Sequence, residues 1–110
     1  MGASSTKSRD PEIENFVQET IEKNRVVIFS KTFCPYCTMA KNQFEMLNAE
    51  YKAIEIENRQ DCDQIQDVLG DMTGARSVPR VFVNGNFIGG GTDVKKLYQS
   101  GQLAKMLNQS

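Results

Sequence analysis

The chain has 110 residues, three cysteines, no histidine and a formal net charge of −1. These numbers exclude a basic nucleic-acid surface, imidazole metal sites and Cys–His or Ser–His–Asp nucleophiles, and a four-thiolate metal site within one chain. Hydrophobic content of 39% and charged content of 25% suit a globular domain with one modest core, and no apolar stretch approaches the ~20 residues of a membrane helix.

Residues 1–9 read as a flexible tail ahead of a single domain over 10–110. The tail lacks the apolar segment of a secretory signal and the arginine-rich pattern of a mitochondrial one. The expected location is therefore a reducing compartment, the cytoplasm, where cysteines stay free or catalytic. Met1-Gly2-Ala3-Ser4-Ser5-Thr6 fits a loose N-myristoylation pattern. Nothing basic nearby supplies a second anchoring signal, so the tail is read as solvated.

Asp10-Pro11 starts a helix, Asp as cap and Pro at the first helical position. Ile13, Phe16, Val17, Thr20 and Ile21 fall on one face, and Asn24 or Arg25 ends it. Val26 to Phe29 is a short, continuous, β-branched run, as in a strand covered on both faces. A second helix runs from about Cys34 to Leu47 with Ala40, Phe44 and Leu47 inward. From Tyr51 to Glu57, Ile54 and Ile56 alternate with charged residues, a strand with one buried face. Asp61 to about Met72 is a third helix with Ile65, Val68, Leu69 and Met72 on its apolar face.

Val81-Phe82-Val83 and Asn86-Phe87-Ile88 flank Asn84-Gly85, which supplies the positive φ angles of a type I′ hairpin turn. After Gly89-Gly90-Gly91, Thr92-Asp93 caps a helix through Tyr98. Gly101 breaks it, and a last helix carries Leu103, Met106 and Leu107. Crossover helices make parallel strand pairs and the hairpin an antiparallel one. The expected architecture is α/β, a four-stranded mixed sheet flanked by helices on both faces.

Cys34-Pro35-Tyr36-Cys37 carries the chemistry. Strand, then C-x-x-C, then helix is the context of a redox centre. The two thiols lie one helical turn apart, near enough to bond. The first meets unpaired N–H groups and the positive end of the helix dipole, which favour its thiolate, and Lys31 adds positive charge nearby. A bridge closing so small a ring would constrain the unfolded chain little, which argues against a purely structural disulfide. Cys62, between Asp61 and Asp63 at a helix start, reads as a non-catalytic thiol.

Three segments in order, Cys34-Pro35-Tyr36-Cys37, Thr73-Gly74-Ala75-Arg76-Ser77-Val78-Pro79-Arg80-Val81-Phe82 and Ile88-Gly89-Gly90-Gly91-Thr92-Asp93, resemble the dithiol glutaredoxins, within the thioredoxin fold. The resemblance runs from about Pro11 to Leu107. Thioredoxins proper carry Cys-Gly-Pro-Cys preceded by tryptophan, and this chain contains no tryptophan.

The resemblance implies a glutathione-dependent thiol–disulfide oxidoreductase acting on glutathionylated and disulfide-containing proteins. Cys34 would be the nucleophile and Cys37 the resolving thiol. It implies a cis bond at Val78-Pro79, with the Val78 backbone pairing an extended ligand. Thr92 and Asp93 would hold the γ-glutamyl end of glutathione, Lys31 and Gln66 its glycine carboxylate, and Tyr36 would wall the groove. Arg76 and Arg80 would add positive potential at unassigned places.

Glutathione is then a co-substrate, no metal is expected, and the protein would act as a monomer without nucleic-acid or membrane partners. The alternative is a dimer holding a [2Fe–2S] cluster with two glutathiones, which the stiff Pro35 disfavours. The colour of freshly purified protein separates the two, brown for the cluster form. A non-catalytic interaction domain would normally have lost one of the two cysteines.

Overall fold

The computed structural model describes residues 10–108. The tail and its acylation pattern lie outside the described residues. Helix α1 spans Pro11–Lys23, strand β1 Val26–Ser30, α2 Pro35–Met46, β2 Lys52–Glu55 and α3 Cys62–Thr73. The hairpin strands β3 (Arg80–Val83) and β4 (Asn86–Gly89) follow, then α4 (Gly91–Gln99) and α5 (Gln102–Leu107). The sheet order is β2-β1-β3-β4. β1 runs parallel to β2 and antiparallel to β3, and β3 runs antiparallel to β4. This is the thioredoxin fold, as expected.

Period-two alternation explains the unbroken apolar run of β1, whose five residues are all buried. Val27 and Phe29 face α1 and α3 with Ile54 and Phe82. Val26 and Ile28 face α2, α4 and α5 with Val81, Val83, Phe44, Val94 and Leu103. Burying each such large side chain contributes about 1.5–3 kcal/mol, so the two half-cores fix β1 at the centre and the loop after Ser30 at one edge.

Local signals set the element ends. Asp10 accepts the Glu12 N–H at 2.9 Å ahead of Pro11. Asn84 and Gly85 adopt φ of 53° and 84°, the two positive angles a type I′ turn requires.

Three expectations need correction. Met72 is 44% exposed, because the apolar stripe of α3 runs out in its last turn before Gly74 caps it. The second strand is shorter than Tyr51–Glu57, although Ile56 stays buried and still donates to Ser30 O at 3.0 Å. Helix α4 is not capped by Thr92. Gly90 is the N-cap, Thr92 sits in the first turn, and Asp93 reaches back to accept the Gly90 N–H at 3.0 Å.

Candidate active site

Cys34 is the N-cap of α2, in extended backbone, and its Sγ accepts the Cys37 N–H at 3.3 Å. Pro35 at the first helical position has no N–H to satisfy, and the Cys37 N–H, one of the orphan donors of this helix end, is taken up by the Cys34 sulfur. Cys34 is half-buried, with Sγ 3.9 Å from Val78 O.

Cys37, one turn on, is fully buried, and its Sγ accepts the Lys31 N–H at 3.4 Å. Burial first, then the hydrogen bond with the Cys34 thiol, pushes the Cys37 thiol up to about 11. The Lys31 N–H and the Ser30 hydroxyl oppose this without cancelling it. One thiol therefore faces solvent while its neighbour is held protonated behind it, and all three cysteines are free.

Beside Cys34 lies a groove of about 340 Å³. Tyr36, Val78, Pro79, Thr92 and Asp93 all line it, so the structure brings five of the expected residues together. The Val78–Pro79 bond is cis. Lys31 and Gln66 are not among the lining residues. Gln66 instead donates to Arg76 O at 2.9 Å and has its Oε1 3.5 Å from Cys62 Sγ, which makes it a brace between α3 and the loop ahead of Pro79.

Arg76 lies over α3, 2.9 Å from Asp67 and 3.7 Å from Asp63, and does not line the groove. Cys62 packs against the α1–α3 half-core. Its neighbour Asp61 pairs with Arg59 at 2.8 Å, and that hydrogen bond holds the Asp61 carboxyl below its usual range.

Ser77, Arg80, Gly90 and Gly91 also line the groove. Arg80 donates to Pro79 O at 3.1 Å and to Thr73 Oγ1 at 3.4 Å, and lies 5.1 Å from the centre of the Phe87 ring. Burial lowers its pKa, and the nearby Asp93 opposes the shift. A signal for Arg80 was present in the sequence. It precedes Phe82 by two residues, so strand alternation puts a cation where an apolar core residue belongs.

Gly91 is required by close approach. A Cβ there would stand 2.6 Å from Tyr36 O, where α4 meets the active-site helix. Gly91→Ala should therefore cost about 2 kcal/mol through overpacking, a fall in Tm of about 10 °C for a chain of this size. Thermal unfolding followed by circular dichroism checks this. An unchanged Tm would mean that α4 has room to retreat.

The sequence model of the Glutaredoxin family matches residues 26–88. Glutaredoxin-2, mitochondrial, from Bos taurus is 54% identical over 95 residues, covering 86% of this chain and 60% of that protein. The Homo sapiens protein of the same name is 53% identical, covering 86% of this chain and 58% of that protein. The chain thus spans about three-fifths of the length of these two relatives. Oxidized glutaredoxin 2 from Chlamydomonas reinhardtii superposes with a TM-score of 0.85 at 49% identity, covering 88% of this chain and 92% of that one. A buckwheat glutaredoxin–glutathione complex superposes with a TM-score of 0.84 at 39% identity, covering 88% of each chain.

The names of these relatives correct the cytoplasmic expectation, since the Bos taurus and Homo sapiens proteins are mitochondrial. Free cysteines separate reducing from oxidising surroundings. They do not separate one reducing compartment from another.

Proposed function

Because this chain belongs to the glutaredoxin family, we propose that it catalyses glutathione-dependent thiol–disulfide exchange in a mitochondrial compartment, on protein–glutathione mixed disulfides and on protein disulfides. The observation that carries this reading is the half-buried Cys34 sulfur at a helix N-terminus, beside a groove and ahead of a fully buried second thiol.

In the first reaction the Cys34 thiolate attacks the glutathione sulfur of a mixed disulfide. The Cys34–glutathione bond forms, the protein–glutathione bond breaks, and the protein thiolate leaves. A second glutathione thiolate attacks the glutathione sulfur of the adduct, giving oxidised glutathione and restoring the Cys34 thiolate. With a protein disulfide, Cys34 forms a mixed disulfide with the substrate. Cys37 then loses its proton and attacks Cys34, the reduced substrate leaves, and two glutathiones reduce the internal disulfide.

In this reading the γ-glutamyl carboxylate sits at the N–H groups opening α4, near Thr92 and Asp93. The ligand backbone runs along Val78 beside Pro79, and Tyr36 forms one wall. Arg80 adds positive charge at the floor. Lys31 and Gln66 take the glycine carboxylate beyond the groove. The buckwheat relative's complex with glutathione supports the choice of ligand.

Lys31→Ala and Gln66→Ala test that placement through the KM for glutathione. Each should raise it about three- to tenfold, the loss of one hydrogen bond or ion pair to a charged group. The Lys31 effect should shrink with added salt, because it removes a charge. Unchanged KM for both would put the glycine carboxylate elsewhere.

A further inference from the structure

Two consecutive backbone N–H groups ahead of Cys34 are held from opposite sides. Lys31 N donates inward to Cys37 Sγ at 3.4 Å. Thr32 N donates outward to Glu57 Oε1 at 3.1 Å, from a residue just past the end of β2. Phe33 is 96% exposed and adds no restraint, while the Ser30 hydroxyl donates to Lys31 O at 3.3 Å and the Thr32 side chain also bonds the Glu57 carboxylate.

The Glu57 carboxylate is itself seated. A hydrogen bond with the Thr32 side chain first, and more weakly the Thr32 N–H and the charge of Lys41, lower its pKa. Lys41, on α2, stands 2.7 Å from Glu55 Oε2. Of the two carboxylates at the end of β2, Glu55 pairs with a lysine of the active-site helix and Glu57 reaches the active-site turn.

We propose that Glu57 is a positioning residue for the active site: by holding the Thr32 N–H it fixes the turn 31–33, and with it the seat of the Cys37 sulfur and the point from which the Lys31 side chain departs. A carboxylate is suited to this task, because a charge-assisted hydrogen bond to a backbone N–H is stronger than a neutral one. With that restraint gone, the turn keeps its tethers at Lys31, to Cys37 Sγ and the Ser30 hydroxyl, and loses the Glu57 tether to the Thr32 N–H. The Cys37 part of the inference stands on geometry alone. The Lys31 part rests on the glutathione reading above.

The test uses the full chain with Glu57→Ala and Glu57→Gln, each also in a Cys34→Ser background. In that background the rate of Cys37 alkylation by iodoacetamide, read by peptide mass, reports how firmly its sulfur is seated. Glu57→Ala should raise the rate about five- to tenfold, the loss of one hydrogen bond. Glu57→Gln keeps an acceptor oxygen without the charge and should fall between the Ala variant and the parent. With Cys34 present, Glu57→Ala should raise the KM for glutathione while kcat changes less, and Glu57→Gln should restore it in part.

Cys37 as protected in Glu57→Ala as in the parent would overturn the proposal, as would a Gln variant no better than Ala. The alkylation measurement needs no glutathione. A wild-type protein without glutathione-dependent turnover would therefore end the functional reading while the alkylation rates still decided the role of Glu57.

Discussion

Cys34→Ser should abolish turnover on glutathione mixed disulfides and on protein disulfides alike, by more than about 10³-fold, the scale on which removal of a nucleophile acts. A serine hydroxyl does not open disulfides, and no other thiol can take over. Cys37 has no exposed surface, and its burial, which remains when Cys34 is replaced, pushes its thiol up and disfavours the thiolate. Cys62 faces Gln66 on α3 and packs against the α1–α3 half-core, away from the N-terminus of α2. The check is glutathione-dependent reduction of a glutathionylated peptide, followed through oxidised glutathione. Retention of more than a few per cent of wild-type turnover would place the nucleophile elsewhere.

Cys37→Ser should separate the two reactions. Removing a glutathione adduct needs only Cys34, because the second glutathione arrives from solution. Reducing a protein disulfide leaves a bulky mixed disulfide that glutathione reaches slowly. An internal thiol one turn away then has a large effective-concentration advantage. The variant should keep adduct removal at or above the wild-type rate, since the off-path internal disulfide can no longer form, and lose protein-disulfide reduction about tenfold or more. Measuring both rates on one preparation decides the matter. Equal loss of the two would show that Cys37 is needed in every cycle.

Much of this was legible before any coordinates. The unbroken apolar run at Val26–Phe29 marks a central strand because it is short and β-branched as well as apolar on both faces. Asn84-Gly85 marks its turn because few other pairs tolerate two positive φ angles. The thiol pair showed itself through its place between strand and helix.

What was not legible depends on pairing between distant segments. Glu57 meets Thr32 only because β2 lies parallel to β1 and its end reaches the loop after Ser30. Gln66 is drawn to Arg76 O because the loop before Pro79 folds back over α3. Thr92 resembled a cap by residue type, yet Gly90 takes that place, its N–H held by the Asp93 carboxylate one turn on. Arg80 was noticed as a charge, but its seat over Phe87 follows from the register of β3 with β4.

The central claim is that Cys34 takes the glutathione moiety onto itself. Mass analysis of the Cys37→Ser protein, incubated with a glutathionylated peptide and no free glutathione, tests it most directly. The account predicts one added glutathionyl group, located on the peptide containing Cys34, and release of the substrate as a free thiol. A glutathionyl group found on Cys62 instead, a substrate peptide bound to Cys34 in its place, or an unmodified protein would contradict it.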